Sequence, residues 1–472
     1  MKDLFKKLML ALGAFASPDL PGDDLPVCII GAGPAGLSAA AELELKGKST
    51  VIFEKQASVG GKCQAVYEDG GFSPLGALIF TPPTYRESIK MIVGTGMASV
   101  PFVSGDKFQY NASNGGIWAK PAPPPGFNQL FMQEVGRYIA WWNKHFYLYN
   151  TAASYRHGIP DELTVTTAAW LAKNNYKVLQ ALFIQSMVAY GYGDYRQVPI
   201  IYMLQYLTPD VTMALLKIQQ GIEVHIVDFH AVLARFASTS ITGPIHLNTT
   251  ITKIDRTGSH PIISYYPSSS SSVPKSKTQS CSSIILAFPP TLKSLLNAGL
   301  SLSPAEQEVF SPVGTNTFFS GAVRMSTPHS MTLGLASSHP MLPPDPSNGD
   351  PVVAVKLHSD LEIAITSSWG PYRGNVTKSE AYSRLKSTLS KFNKDPRDGG
   401  SLGKEIRDQD VLAFQENEYF AHYDERELRE GFYARFEGLQ GVNGTFYASG
   451  FNMFELIEYA IRAGKDVVRE YF

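Results

Sequence analysis

The sequence predicts an α/β fold of two lobes: a Rossmann-type dinucleotide-binding domain, and a substrate-side lobe made of a helical cap and an antiparallel β-sheet. Three observations predict it. Residues 26–55, PVCIIGAGPAGLSAAAELELKGKSTVIFEK, read as a strand, a glycine turn, a helix and a second strand ending in an acid. From about 127 to 217 apolar residues recur at helical spacing. From about 305 to 430 the pattern turns β-rich, and the chain then closes on a strand, a turn and a long helix.

The first stretch meets each physical requirement of a dinucleotide site. VCII is a short apolar run suited to a strand buried on both faces. Gly31 allows the tight turn, Gly33 lets the backbone approach a pyrophosphate, and Gly36 lets the helix sit against the sheet. Pro34 and Ala35 open the helix, whose unpaired N–H groups and positive dipole end favour phosphate. Glu54, 23 residues after Gly31, ends the second strand where a carboxylate accepts bonds from both ribose hydroxyls, and an acid there disfavours a 2′-phosphate.

Further along, VGTGMAS at 93–99 mimics a second fingerprint without a closing acid and reads as a loop, which argues against a separate nicotinamide-binding domain. The helical region is broken by YGYGDYRQVPIIYMLQYL, where Tyr190, Tyr192 and Tyr202 either line a pocket or pack between helices. IEVHIVDFHAVLARF reads as a helix or its entry segment, and GPIHLNTTITKIDR as a strand pair. Five serines at 268–272 mark a flexible hairpin, and CSSIILAFPP returns as a buried strand. In the β-rich region KSEAYSRLKSTLSKF is the one helix, while Lys356 and His358 lie on a strand pattern and face outward as solvated groups.

With 472 residues and 44% apolar content, the chain can bury a large core. Its 41 basic residues balance 42 acidic ones, which removes the electrostatic case for a nucleic-acid partner. No run of 18 uncharged apolar residues exists, so a soluble protein without a transmembrane anchor is expected. Residues 1–22 carry lysines 2, 6 and 7, an apolar stretch from Leu8 to Ala16, and a small-x-small pattern at Ala14-Phe15-Ala16. A signal peptide and an amphipathic N-terminal extension both fit. Sequons at Asn111, Asn248, Asn375 and Asn443 are compatible with secretion, and the secretory pathway and the cytoplasm both stay open. The three cysteines decide nothing, Cys28 lying in an apolar strand and Cys63 and Cys281 reading as solitary.

Beyond the acid, EKQASVGGKCQ places Gly60, Gly61 and Lys62. This resembles the second glycine pair of the two-dinucleotide-binding-domain flavoproteins, and it implies FAD, with Lys62 supplying charge to the pyrophosphate. With GGFSPLGALIF, AFPP and YASGFNMFELIEYAI added, the chain from residue 27 to its end resembles the flavin-containing amine oxidase superfamily, and within it the polyunsaturated fatty acid isomerase-like branch.

The resemblance implies an amine-oxidase-like two-lobed architecture. The FAD-binding domain would come in three pieces, 23–85, 219–303 and 431–472, separated by a helical cap at 86–218 and a β-rich substrate domain at 304–430. Gly31, Gly33, Ala35, Gly36, Glu54, Lys55, Gly61 and Lys62 would hold the ADP half, and the Ile251 backbone would pass the adenine. Leu75, Gly76, Ala77, Ser449 and Gly450 would lie along the isoalloxazine and ribitol. A helix starting near Phe454 would aim its dipole at the flavin pyrimidine ring. Phe451 stands where many amine oxidases place a ribitol-binding acid, and no C-terminal cysteine offers a covalent link, so FAD is expected to bind non-covalently.

The expected chemistry is hydride transfer from a small, largely apolar or amphipathic substrate to flavin N5, as an oxidase or dehydrogenase. A double-bond isomerase with internal hydride return is the alternative, and a binding protein on the same fold, like the Rab-escort proteins, is the rival. Arg86 and Arg196 are offered as anchors for a substrate carboxylate, with surface salt bridges as their other role. No metal-ligand or acid–base constellation stands out, so no catalytic residue is named.

Overall fold

Strand Val27–Ile30 is buried at all four positions because both its neighbours are parallel strands and both sheet faces are covered. It is the middle of a five-stranded parallel sheet ordered Thr445–Tyr447, Ser283–Leu286, Val27–Ile30, Thr50–Phe53, Ile245–His246. Three separate stretches of chain therefore build one nucleotide-type sheet. Helix Pro34–Leu45 covers it, and helix Ile457–Tyr471 packs on that helix so closely that a Cβ on Gly464 would lie 2.1 Å from the Ala35 carbonyl oxygen. The computed structural model describes residues 25–472 except 152, 268–275, 329–330, 337–348 and 359–360. The N-terminal segment and the serine hairpin read from the sequence lie outside these residues.

The second lobe is a seven-stranded sheet ordered Val411–His422, Gly314–Arg324, Ile363–Gly370, Val353–Val355, Thr332–Leu335, Lys107–Tyr110, Ile117–Ala119. Its pairings are antiparallel except Thr332–Leu335 with Lys107–Tyr110. Helix Lys378–Phe392 packs on it, held at its start by a reciprocal capping box of Thr377 and Glu380. The helical layer begins at Phe127–Trp141 and ends with Ile200–Tyr206 and Pro209–Gln219, the last capped by the Thr208 hydroxyl.

The structure corrects the sequence reading at several points. Cys28 and Cys281 are joined in a disulfide, because Cys281 lies just ahead of strand Ser283–Leu286, the neighbour of the strand that holds Cys28, and the two Cα atoms stand 5.7 Å apart; Cys63 is free and buried. Residues 93–95 are the last turn of helix Arg86–Thr95, closed by Gly96 in the left-handed conformation, and only the remainder of VGTGMAS is loop. The stretch from Ile222 is strand Val224–Ile226 followed by helix Phe229–Ser240, capped by Asp228. Three short strands at Val100–Phe102, Lys107–Tyr110 and Ile117–Ala119 precede the helical layer. Lys356 is buried at 7% exposure, because the strand ends at Val355 and the chain turns inward, and the His358 ring nitrogen Nε2 lies 2.7 Å from the Phe72 carbonyl oxygen. The C-terminal helix begins at Ile457, since Met453 and Leu456 keep non-helical backbone angles, and Phe454 is buried ahead of it. Among the described residues no helix is long and apolar enough to cross a membrane.

Candidate functional site

The carboxyl ends of strands Val27–Ile30 and Thr50–Phe53 open on a cavity of about 1920 Å³ that continues between the two lobes. That exceeds the roughly 300–1,000 Å³ of a single small-molecule pocket, so it has room for two ligands. Its first end is lined by Gly31, Gly33, Pro34, Ala35, Glu54, Lys55, Gly61 and Lys62. Glycine is needed here for closeness: a Cβ on Gly61 would stand 3.1 Å from the Cα of Gly33. Gly36 and Gly60 lie behind the wall, and a Cβ on Gly36 would fall 1.9 Å from the Gly31 carbonyl oxygen.

Glu54 is 4% exposed and fixed by backbone donors, Ala32 N–H to Oε2 and Gln56 N–H to Oε1, each 2.8 Å. Two bonds leave a carboxylate with acceptor capacity, and this one lies in the cavity lining. Thr249, Thr250 and Ile251 of strand Thr249–Asp255 line the same end.

The middle of the cavity is formed by Leu75, Gly76, Ala77, Ser449, Gly450, Tyr419 and Glu455. Lys62 Nζ lies 2.8 Å from Glu455 Oε1 and 5.2 Å from the Tyr419 ring centroid, while Glu455 Oε2 accepts from the Phe420 N–H at 3.2 Å. Lys62 thus carries an internal counter-charge as well as facing the cavity.

Tyr190, Tyr192 and Tyr206 add an aromatic wall, with Tyr192 5.5 Å from Tyr419 and 4.8 Å from Tyr206 between ring centroids. Burial pushes Tyr190 up to about 12 and holds Tyr192 and Tyr206 well above the ordinary phenol range, so these hydroxyls stay protonated at neutral pH. Burial also pushes the Cys63 thiol up to about 11, which leaves it a poor nucleophile.

Much of the rest of the lining is apolar, with Phe108, Phe131, Leu215, Leu335, Val353 and Leu357 among its residues, beside the polar Asp106, Lys107 and Lys120.

Several residues singled out in the sequence lie elsewhere. Tyr202 is buried in the helical layer and its hydroxyl donates to the Tyr423 carbonyl at 3.1 Å. Phe454 stacks on Tyr206 behind the wall, 5.5 Å between centroids. Arg86 is an exposed partner of Glu87, and Arg196 pairs with Asp194; neither reaches the cavity. Tyr419 and Glu455 were missed. The signal for Glu455 was its place just before the C-terminal helix, and Tyr419 sits on a strand whose partners are distant in sequence.

Residues 29–95 match the family model described as NAD(P)-binding Rossmann-like domain. The FAD-dependent oxidoreductase dpasF of Apiospora sacchari is 23% identical over 439 residues, covering 90% of this chain and 88% of that protein. Over about nine tenths of its length the chain is similar to FAD-dependent oxidoreductases. Its fold is that of the fatty acid isomerase of P. acnes that produces CLA, with a TM-score of 0.77 at 22% identity over 96% of this chain and 100% of the other. Putrescine oxidase bound to putrescine shares it with a TM-score of 0.63 at 13% identity, over 94% and 98% of the two chains. The residues present fit FAD: a glycine crossing that a Cβ would fill, a carboxylate with unspent acceptor capacity, and a cavity larger than one ligand needs.

Proposed function

We propose that this oxidoreductase removes a hydride from a largely apolar, chain-like substrate held in the cavity beyond the tyrosines. The observation that carries this reading is the continuity of one cavity from the Gly33–Gly61 crossing to an apolar arm. Bound FAD supplies the hydride acceptor, its N5. Gly31, Gly33, Pro34, Ala35 and Gly61 are assigned the phosphates, Glu54 the ribose, and Lys55 and Lys62 the balancing charge. Ile251 is assigned the adenine side, and Leu75, Gly76, Ala77, Ser449 and Gly450 the ribitol and ring. Gly36, Gly60 and Phe454 support these groups from behind.

Tyr190, Tyr192 and Tyr419 are assigned the walls of the reacting site. Neutral phenols exclude water and orient the substrate by packing, while the Tyr192 hydroxyl is held by donation to the Glu455 carbonyl at 3.0 Å. The protonated Cys63 and the tyrosines do not act as bases, and Glu455, the carboxylate in the middle of the cavity, is paired with Lys62, which suits transfer of a C–H hydrogen with its electron pair.

The test is an anaerobic absorbance spectrum of the FAD-loaded protein with amines, amino acids and unsaturated fatty acids added one at a time. Flavin bands that bleach with an apolar chain and recover in air support the proposal. Bleaching by small amines alone sinks it. A second reading, double-bond isomerisation with hydride return to the same molecule, is favoured by the same apolar arm. Its signature is an unbleached flavin while the double bonds of a fatty acid shift.

A further inference from the structure

The hairpin of strands Lys107–Tyr110 and Ile117–Ala119 pairs Phe108 with Ala119, and one step on the Lys120 N–H donates to the Lys107 carbonyl at 2.8 Å. Lys107 and Lys120 therefore stand opposite each other, and both line the cavity. Like charges directly opposed across a hairpin are destabilising unless something compensates them.

Lys107 is compensated. Its ammonium donates to the carbonyls of Ile218, at 3.0 Å, and Gln219, at the negative dipole end of helix Pro209–Gln219. Lys120 has no side-chain partner among the described residues. Its side chain is exposed to solvent, yet neighbouring protein desolvates it in part and lowers its pKa. Of the other cavity lysines, Lys62 is matched by Glu455 and Lys293 by Glu418 at 3.6 Å, while Lys55 lies at the dinucleotide end, away from this arm. Asp106, beside Lys107 in the chain and also in the lining, faces Arg397 at 3.6 Å. Trp118, Phe127, Phe131 and Met132 line the same arm, so an anion bound by Lys120 would carry an apolar body.

We infer that Lys120 is a specificity-determining residue, binding the anionic head group, a carboxylate or a phosphate monoester, of a chain-like substrate whose apolar tail fills the arm. The inference rests on the apolar-substrate reading above and adds a head group to it. It also relocates the anchor, since Arg86 and Arg196 lie outside the cavity.

The experiment titrates the FAD-loaded protein with oleate, methyl oleate and a single-chain alkyl phosphate below their micelle concentrations, following the perturbation of the flavin absorbance bands. The wild type is expected to bind at least one of the two anions about tenfold to a hundredfold more tightly than the ester, the range of a charge-assisted hydrogen bond. Lys120→Gln is expected to abolish that preference with the ester's affinity unchanged, and Lys120→Arg to retain most of it. The flavin spectrum of each variant reports that its site has folded. Whichever anion binds more tightly names the head group. Equal binding of ester and anions by the wild type, or a preference that survives Lys120→Gln, overturns the inference and leaves the apolar-substrate reading standing. If no amphiphile perturbs the flavin, that reading falls and the anchor falls with it.

Discussion

Lys62 and Glu455, 393 residues apart, form an ion pair across the middle of the cavity, with Nζ 2.8 Å from Oε1. The two side chains are 26% and 16% exposed, so their attraction is partly screened and its worth to stability is about 1 kcal/mol or less. Its consequence for the cofactor is larger. If Lys62 serves the FAD phosphates, then Lys62→Ala leaves Glu455 facing a dianionic pyrophosphate without a cation. The expected outcome is an FAD Kd raised about tenfold or more. Glu455→Gln removes the competing anion, and its Kd is expected to fall or stay level. Fluorescence titration of apoprotein with FAD measures both. Parallel weakening in the two variants would place the pair's role in folding instead.

Two glycines of one motif should fail differently. A Cβ on Gly36 would overlap the Gly31 carbonyl at 1.9 Å, backbone against backbone, so Gly36→Ala is expected to cost about 1–3 kcal/mol of stability. Gly33 has φ −79°, and its Cβ would meet only Gly61 Cα at an ordinary 3.7 Å. Gly33→Ala should therefore leave the apoprotein's unfolding midpoint nearly unchanged while its methyl group blocks close approach of the phosphates. Denaturant melts of the apoproteins, with FAD titrations beside them, separate the two effects. A Gly33→Ala protein that binds FAD normally would refute the assignment of the phosphates to that turn.

The dinucleotide end of the site was legible in the sequence because its determinants are local. The glycine spacing, the buried strand Val27–Ile30 and the acid at Glu54 all fall within one βαβ unit, where side-chain period and turn chemistry decide structure. What was not legible depends on partners far along the chain. The strands at Lys107–Tyr110 and Ile117–Ala119 are three or four residues long and acquire their role from Thr332–Leu335, more than 200 residues later. Lys356 misled for a related reason: alternation predicts an outward side chain only while the strand lasts, and this strand stops at Val355. The Lys62–Glu455 pair was not legible either, because nothing within the Lys62 segment shows that Glu455, 393 residues on, stands beside it.

Glu306 carries a prediction about pH. It is 1% exposed and takes hydrogen bonds from Arg256, Tyr447 and the Ser303 N–H. Burial alone would raise its pKa, but these donors outweigh burial and hold it at about 2, below an ordinary value of 4.5. A carboxyl whose folded pKa is depressed contributes stability that is present above the unfolded value and lost as pH falls through the folded value. The wild type should therefore lose stability between about pH 4.5 and pH 2, partly through this group. Glu306→Gln should show a shallower acid limb, and at pH 7 it should be destabilised by about 3–5 kcal/mol because Arg256 is left buried and unpaired. Urea melts across that pH range test both parts, and an unchanged acid limb would remove Glu306 from the account.

The Cys28–Cys281 disulfide ties the first strand of the nucleotide-binding sheet to a segment 253 residues away, just ahead of the neighbouring strand. Cross-linking so long a loop restricts the unfolded chain far more than the folded one, in which the sheet already holds the two segments together. Protein folded under oxidising conditions should show one reactive thiol, that of Cys63, when unfolded without reductant, and three after reduction. In the native state none should react quickly, because Cys63 is buried and its thiol is held protonated. Reduction should lower unfolding stability by about 2–4 kcal/mol while leaving the Gly33–Gly61 crossing intact, so FAD should still bind the reduced native protein. Three reactive thiols in the unreduced, unfolded protein would show that the bond does not form. Loss of FAD affinity on reduction would show that the bond positions the dinucleotide site as well as stabilising the chain around it.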